Sequence, residues 1–338
     1  MYLAAWVGGG RRRLEPRLRP RLWVAYVSLA APLLDRARAA KTRLKLWNAE
    51  LDRLRYPAYY CGRLRPEEAN LLLYNRLRQG VPVLAGKLGS VESRLLGEHR
   101  YGRGWPSRFS GRTRKQAHQN AGIFPVDDQA LAGAAEELWT ALSSLELLGC
   151  WPVEYQARLL MDLPQLPWRC EMPDLEPFGY PLPWTAALEG QRVLVLHPFR
   201  RSLEQQWARR LELFPGRPVL PAFDPLFVAT PMTVRGAAHG YASWQAALDQ
   251  LWCQVQGLSF DVALLGCGAY SLPLAARIRA LGRSAIHLGG SLQLLFGVFG
   301  RRWERFDSQR ALLNPAWIRP LAEDRPSSYQ AVEDGCYW

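Results

Sequence analysis

The stretch Phe260-Asp-Val-Ala-Leu-Leu-Gly-Cys-Gly-Ala-Tyr270, continued by Ser271-Leu-Pro-Leu-Ala-Ala-Arg-Ile-Arg-Ala-Leu-Gly282 and Arg283-Ser-Ala-Ile-His-Leu-Gly-Gly290, decides the fold. Residues 261–265 are a short apolar run bounded by turn residues, the pattern of a strand buried on both faces. Gly266 and Gly268 punctuate its end. Residues 272–281 then follow helical spacing and stop at Gly282. Residues 285–288 predict a second buried strand, which runs into Gly289-Gly290 and another apolar helix. Ligands in open α/β sheets sit at the carboxyl ends of such strands, where glycines let the backbone approach a phosphate or sugar. The plainer reading of the same glycines is that they only make tight turns.

Working outward, the same logic finds more strand ends. Residues 81–85 read as a core strand that runs directly into Gly86-Lys-Leu-Gly-Ser-Val-Glu92 and a helix. Residues 192–199 are a further buried strand, ending in His197-Pro-Phe199. Strands are also expected at 147–151 and within 218–230, and helices at 66–79, 129–144, 202–213 and 243–256. Residues 163–183 hold six prolines and read as a connection rather than an element. Strands alternating with helices, without hairpin signals, predict an α/β chain with a mostly parallel sheet and helices on both faces.

Four strand ends project polar groups: Lys87, Ser90 and Glu92; His197; Tyr270 with Gly266 and Gly268; and His287, Gly289, Gly290 and Gln293. If their strands are neighbours, these groups converge on one crevice. Glu92 is a candidate metal ligand or general base, or simply a carboxylate favoured by its helix dipole. His197 is a second candidate catalytic group. Lys87 and nearby arginines suit a diphosphate. No Gly-x-Ser-x-Gly elbow and no Gly-x-x-x-x-Gly-Lys-Ser/Thr loop is present, which argues against a serine hydrolase of that type and a P-loop nucleotidase. Ser271 stands where a dinucleotide fingerprint needs its third glycine, which disfavours a nicotinamide dehydrogenase.

The formal net charge of +13 calls for an anionic partner. It is concentrated at the start: residues 1–50 carry eleven Lys/Arg against three Asp/Glu. The remainder is only mildly basic, so specific nucleic-acid binding is not expected. Residues 35–55 predict a basic amphipathic helix, and residues 11–55 could rest on an anionic membrane. The apolar run 22–34, broken by Pro32, is too short to span one. Six scattered cysteines form no C-x-x-C pair, which fits a reducing, cytoplasmic setting, with peripheral contact at the inner face of the cytoplasmic membrane. The expected organisation is a basic extension (1–58), an α/β domain (59–307, with a possible subdivision near 163–190), and a Trp/Pro-rich tail (308–338) packed on the core.

Several motifs together resemble one bacterial family found with polysaccharide-assembly genes, itself similar to the GT-D-fold glycosyltransferases. They are Asn120-Ala-Gly-Ile-Phe-Pro125, His197-Pro-Phe199, Gly266-Cys-Gly-Ala-Tyr270, Ala285-Ile-His-Leu-Gly-Gly290 with Gln293-Leu-Leu-Phe-Gly297, and Val332-Glu-Asp-Gly-Cys-Tyr-Trp338. The resemblance covers about residues 60–338 and implies a Rossmann-like, GT-D-like sheet. It also implies transfer of a sugar from a nucleotide-sugar donor to a glycan or lipid-linked acceptor, in capsular or exopolysaccharide synthesis. A non-catalytic nucleotide- or glycan-binding subunit of the same machinery is the alternative. GT-D enzymes carry an Asp-x-Glu motif for manganese or magnesium after the first strand. Here Glu92 matches the Glu, but Ser90 occupies the Asp position, which puts metal dependence in question.

Overall fold

The computed structural model describes residues 53–102, 108–234, 240–326, 329–331 and 333–338. The predicted basic helix, apart from residues 53–55, which are helical, and the proposed membrane-facing segment lie outside these. The chain divides into two units, Met1–Pro57 and Ala58–Trp338, and the sheet belongs to the second. No described helix is long and apolar enough to cross a membrane.

Seven strands form one sheet: β1 (Leu84–Gly86), β2 (Leu147–Cys150), β3 (Trp168–Glu171), β4 (Arg192–His197), β5 (Asp224–Ala229), β6 (Val262–Leu265) and β7 (Ser284–His287). Their spatial order is β3-β2-β1-β7-β6-β4-β5, and every pairing is parallel. The central strands carry short all-buried runs such as Val-Ala-Leu-Leu in β6, because helices cover both sides. The expected parallel α/β architecture is therefore present.

Right-handed crossovers make the direction of each step decide which face the connection covers. Steps toward the β3 edge place α2 (Ser90–Tyr101), α3 (Asp128–Ser143), α5 (Trp244–Val255) and α6 (Ser271–Ala280) on one face, where α3 packs on α2, α5 and α6. The opposite face holds α1 (Pro66–Arg78), α4 (Arg200–Trp207) and α7 (Ser291–Leu295). Leu73, Trp184, Leu203, Leu292, Phe296 and Trp338 belong to one apolar cluster there. Consequently the chain leaves β1 and β6 toward the first face, and β7 and β4 toward the second. In open parallel sheets such a divergence marks the place, at the carboxyl ends of the strands, where a ligand crevice forms.

One expectation fails. Residues 163–183 are not only a connection, because they contain β3. Its prolines, Pro164, Pro167 and Pro173, flank the strand instead of interrupting it, which is where an edge strand tolerates them. Four residues with two buried positions in the middle leave no alternation to detect.

The tail is part of the core. Asp324, buried, accepts hydrogen bonds from the Ser202 backbone N–H and hydroxyl, both at 2.6 Å, and from the Arg201 N–H at 3.4 Å. A carboxylate on the first turn of α4 satisfies orphan donors and meets the positive end of the helix dipole. Trp338 stacks obliquely on Phe199, with centroids 5.2 Å apart. Asp324→Ala is expected to cost about 2–4 kcal/mol through the lost charge-assisted bonds and the uncapped helix. Urea unfolding should show a lower midpoint with an unchanged slope.

Candidate functional site

Three of the glycine turns exist because something else occupies the space of a side chain. A methyl group on Gly86, the last residue of β1, would lie 2.9 Å from Cβ of His287. On Gly266 it would meet Cδ2 of His197 at 2.6 Å and the Gly289 carbonyl oxygen at 2.8 Å. On Gly289 it would meet Cε of Lys87 at 2.7 Å and Nζ at 3.1 Å, with Cε1 of His287 at 3.7 Å. Gly289 also has a left-handed φ of 58°, which a side chain would strain. Lys87, His287, Gly289, Gly266 and His197 therefore form one contiguous cluster over β1, β7, β6 and β4. Gly290 extends it, since a methyl there would touch Trp303 and Tyr337 at 3.1 and 3.2 Å.

Both histidines are neutral. Burial alone drives His197, 3% exposed, to about 3. Its Nδ1 accepts the Phe199 N–H at 2.9 Å, so the ring proton sits on Nε2. His197 is thus a neutral donor, poorly suited to act as a general base. His287 is also pushed down to about 3, by burial first and then by the Lys87 charge; its Nδ1 lies 3.4 Å from the Leu265 carbonyl. Because both folded values lie below the free value of 6.5, the unfolded chain binds protons first on acidification. The stability they contribute is complete above pH 6.5 and is lost as pH falls toward 3. Urea midpoints should show a loss of about 2 kcal/mol per histidine between pH 6.5 and 5, reduced in His197→Gln.

Lys87 is the one cation lodged in this cluster. Desolvation lowers it to about 8; Glu176 raises it and Arg302 lowers it further, the smaller effects. Lys87 remains partly exposed, with Cε and Nζ packed beside Gly289, so its ammonium is partly and not fully dehydrated. Among the described residues it makes no ion pair and no hydrogen bond. Glu176, its nearest electrostatic counterweight, is held in place by the Ser291 hydroxyl at 2.5 Å and the Gln309 amide at 3.3 Å. Sequence reasoning missed Glu176, Ser291 and Arg302. Glu176 lies in the proline-rich connection, where no periodicity points to it.

The other predicted site residues are placed differently. Glu92 folds its carboxylate back against Gly89, at the start of its own helix, and Ser90 is the first residue of that helix. Tyr270 is buried, stacks on Trp244 at 5.4 Å and shares a 2.6 Å hydrogen bond with Thr233. Thr233 in turn donates to the Gly122 carbonyl, so Tyr270 ties the Asn120–Pro125 motif to the core. Gly268, with φ 60°, makes a turn with open space around it. Gln293 donates to the Val298 and Tyr337 carbonyls, clamping the tail.

Among the described residues, no group of three His, Cys, Asp or Glu side chains is positioned to hold a metal ion. In comparisons with known proteins, no family model, no curated protein and no solved structure matches this chain.

Proposed function

We propose that this chain is a glycosyltransferase that binds a nucleoside-diphosphate sugar across the carboxyl ends of β1, β7, β6 and β4. The observation that carries the reading is Lys87, a partly buried cation that makes no ion pair or hydrogen bond among the described residues and packs against Gly289. A desolvated cation beside a close-approach glycine is costly unless an anion completes it. The acceptor is a glycan or lipid-linked hydroxyl of polysaccharide assembly, as the motif resemblance suggests. In the transfer, the acceptor oxygen bonds to the anomeric carbon while the bond from that carbon to the diphosphate breaks. The leaving electron pair stays on the diphosphate, where Lys87 takes up its charge. The acceptor's proton passes to a carboxylate, and Glu176 beside Lys87 is better situated for this than Glu92.

Thermal-shift measurements with UDP-, GDP- and CMP-sugars test the binding half, with and without manganese. One donor should raise the melting temperature irrespective of metal. Glu176→Gln should then lower transfer or donor hydrolysis at least 100-fold with donor binding retained, and Glu92→Gln should lower it less. Stabilisation by none of the donors would remove the reading. A second reading, a binding subunit without turnover, draws on Ser90 at the Asp position and on the Glu92 carboxylate folded over Gly89. It predicts donor binding with no product for any acceptor.

A further inference from the structure

Beside the crevice lies a cavity of about 350 Å³ lined by Arg301, Arg302, Arg305, Asp334 and Cys336. Its inner wall is continuous with the Lys87 cluster. Gly290 packs on Tyr337, and the Tyr337 hydroxyl accepts a 2.8 Å hydrogen bond from Arg302. The outer wall is the tail turn Asp334-Gly335, where both residues have left-handed φ values of 58° and 69°. That turn is shaped around Arg301, which donates to the Asp334 carbonyl at 2.5 Å and to the Gly335 carbonyl at 3.3 Å. Those are neutral acceptors, so the charge of Arg301 is not cancelled by them. Arg305 is exposed and lies 4.9 Å over the Phe306 ring, and it forms no ion pair among the described residues. Among the described residues, the cavity is lined by three guanidinium groups and one carboxylate, that of Asp334.

From this geometry we infer that the cavity is a second anion site, which takes the phosphate monoester of the acceptor while the donor diphosphate occupies the Lys87 crevice. The assignment to the acceptor rests on the proposed glycosyl transfer; the anion site itself rests on the arginines. Planar guanidinium forks match phosphate oxygens in pairs, which an ammonium cannot do. The volume lies within the range of small-molecule sites and is larger than a bare phosphate needs, leaving room for the group the phosphate carries. Two cationic centres joined through Gly290 and Tyr337 let two phosphorylated substrates lie side by side, the arrangement that group transfer between them requires. Asp334 and Cys336 of the tail thereby acquire a purpose beyond packing, as part of the wall of this site.

Calorimetric titration of the full chain with octyl phosphate, a hexose phosphate and UDP tests this directly. At least one phosphate monoester should bind saturably, and saturating UDP should change its affinity by less than about twofold. Arg305→Glu should weaken that binding at least tenfold and Arg305→Gln about threefold, with UDP affinity and melting temperature retained. Arg305 is exposed and lies over the Phe306 ring, so these variants should fold. Lys87→Met should show the converse pattern, losing UDP and keeping the monoester. Octyl phosphate alone would identify a lipid phosphate, and the hexose phosphate alone a soluble one. No saturable monoester binding, binding indifferent to Arg305→Glu, or displacement by UDP would each overturn the second site. Failure of UDP to bind, with Arg305-dependent monoester binding intact, would overturn the donor reading and leave this site standing.

Discussion

Lys87→Met is expected to weaken nucleoside-diphosphate binding by about two orders of magnitude and, at the same time, to stabilise the ligand-free protein. The two effects have one cause. Free Lys87 keeps its charge at neutral pH although burial has lowered it from 10.5 to about 8. The folded value lies below the unfolded one, so between pH 8 and 10.5 the unfolded chain binds more protons. Stability should therefore rise with pH across that window, and below pH 8 the full penalty remains. Methionine keeps the length and removes the charge, giving back on the order of 2 kcal/mol at pH 7. Binding suffers because two charge-assisted hydrogen bonds to phosphate oxygens, together worth about 3 kcal/mol, are lost. Urea unfolding at pH 7 and pH 10, with calorimetric UDP titration, measures both. A variant that is less stable and binds UDP as well as the parent would mean that Lys87 is only packing.

Gly266→Ala should be nearly as damaging, by a steric route. The added methyl would face the Gly289 carbonyl at 2.8 Å and Cβ of Leu292 at 3.0 Å, neither the free end of a flexible side chain. It would also press on the His197 ring, which is fixed by the Phe199 N–H. Overpacking of this kind costs about 1–3 kcal/mol and moves backbone. Here the backbone that moves is the turn against which Lys87 rests. Donor affinity should fall at least tenfold along with stability. Gly268→Ala is the control: its methyl enters open space, and only the left-handed φ of 60° is strained, at about 1 kcal/mol. Equal effects from the two alanines would show that the crowding at Gly266 does not organise the crevice.

The sheet was legible because its central strands are apolar runs that end in glycine, a pattern that buried parallel strands impose. Residues 284–287 and 262–265 could be read that way almost to the residue. β3 could not, because an edge strand of four residues among prolines has neither length nor period. The cluster of Lys87, His197, Gly266, His287 and Gly289 was half legible. Strand ends mark the candidates, yet only the order β1-β7-β6-β4 says that they meet. Tyr270 and Gln293 look the same in sequence and turn out to hold loops and tail together. Their hydroxyl and amide have core partners that no local pattern encodes. Glu176 reaches the cluster only through tertiary bonds from Ser291 and Gln309, so spacing cannot find it.

The most direct measurement is a crystal structure of the full chain with the nucleotide sugar that gives the largest thermal shift. A diphosphate oxygen should lie about 3 Å from Lys87 Nζ, over the Gly289-Gly290 turn, with the sugar toward Glu176. Nucleotide bound at saturation but away from Lys87, on the Gly268–Tyr270 side or outside the four strand ends, would contradict the account.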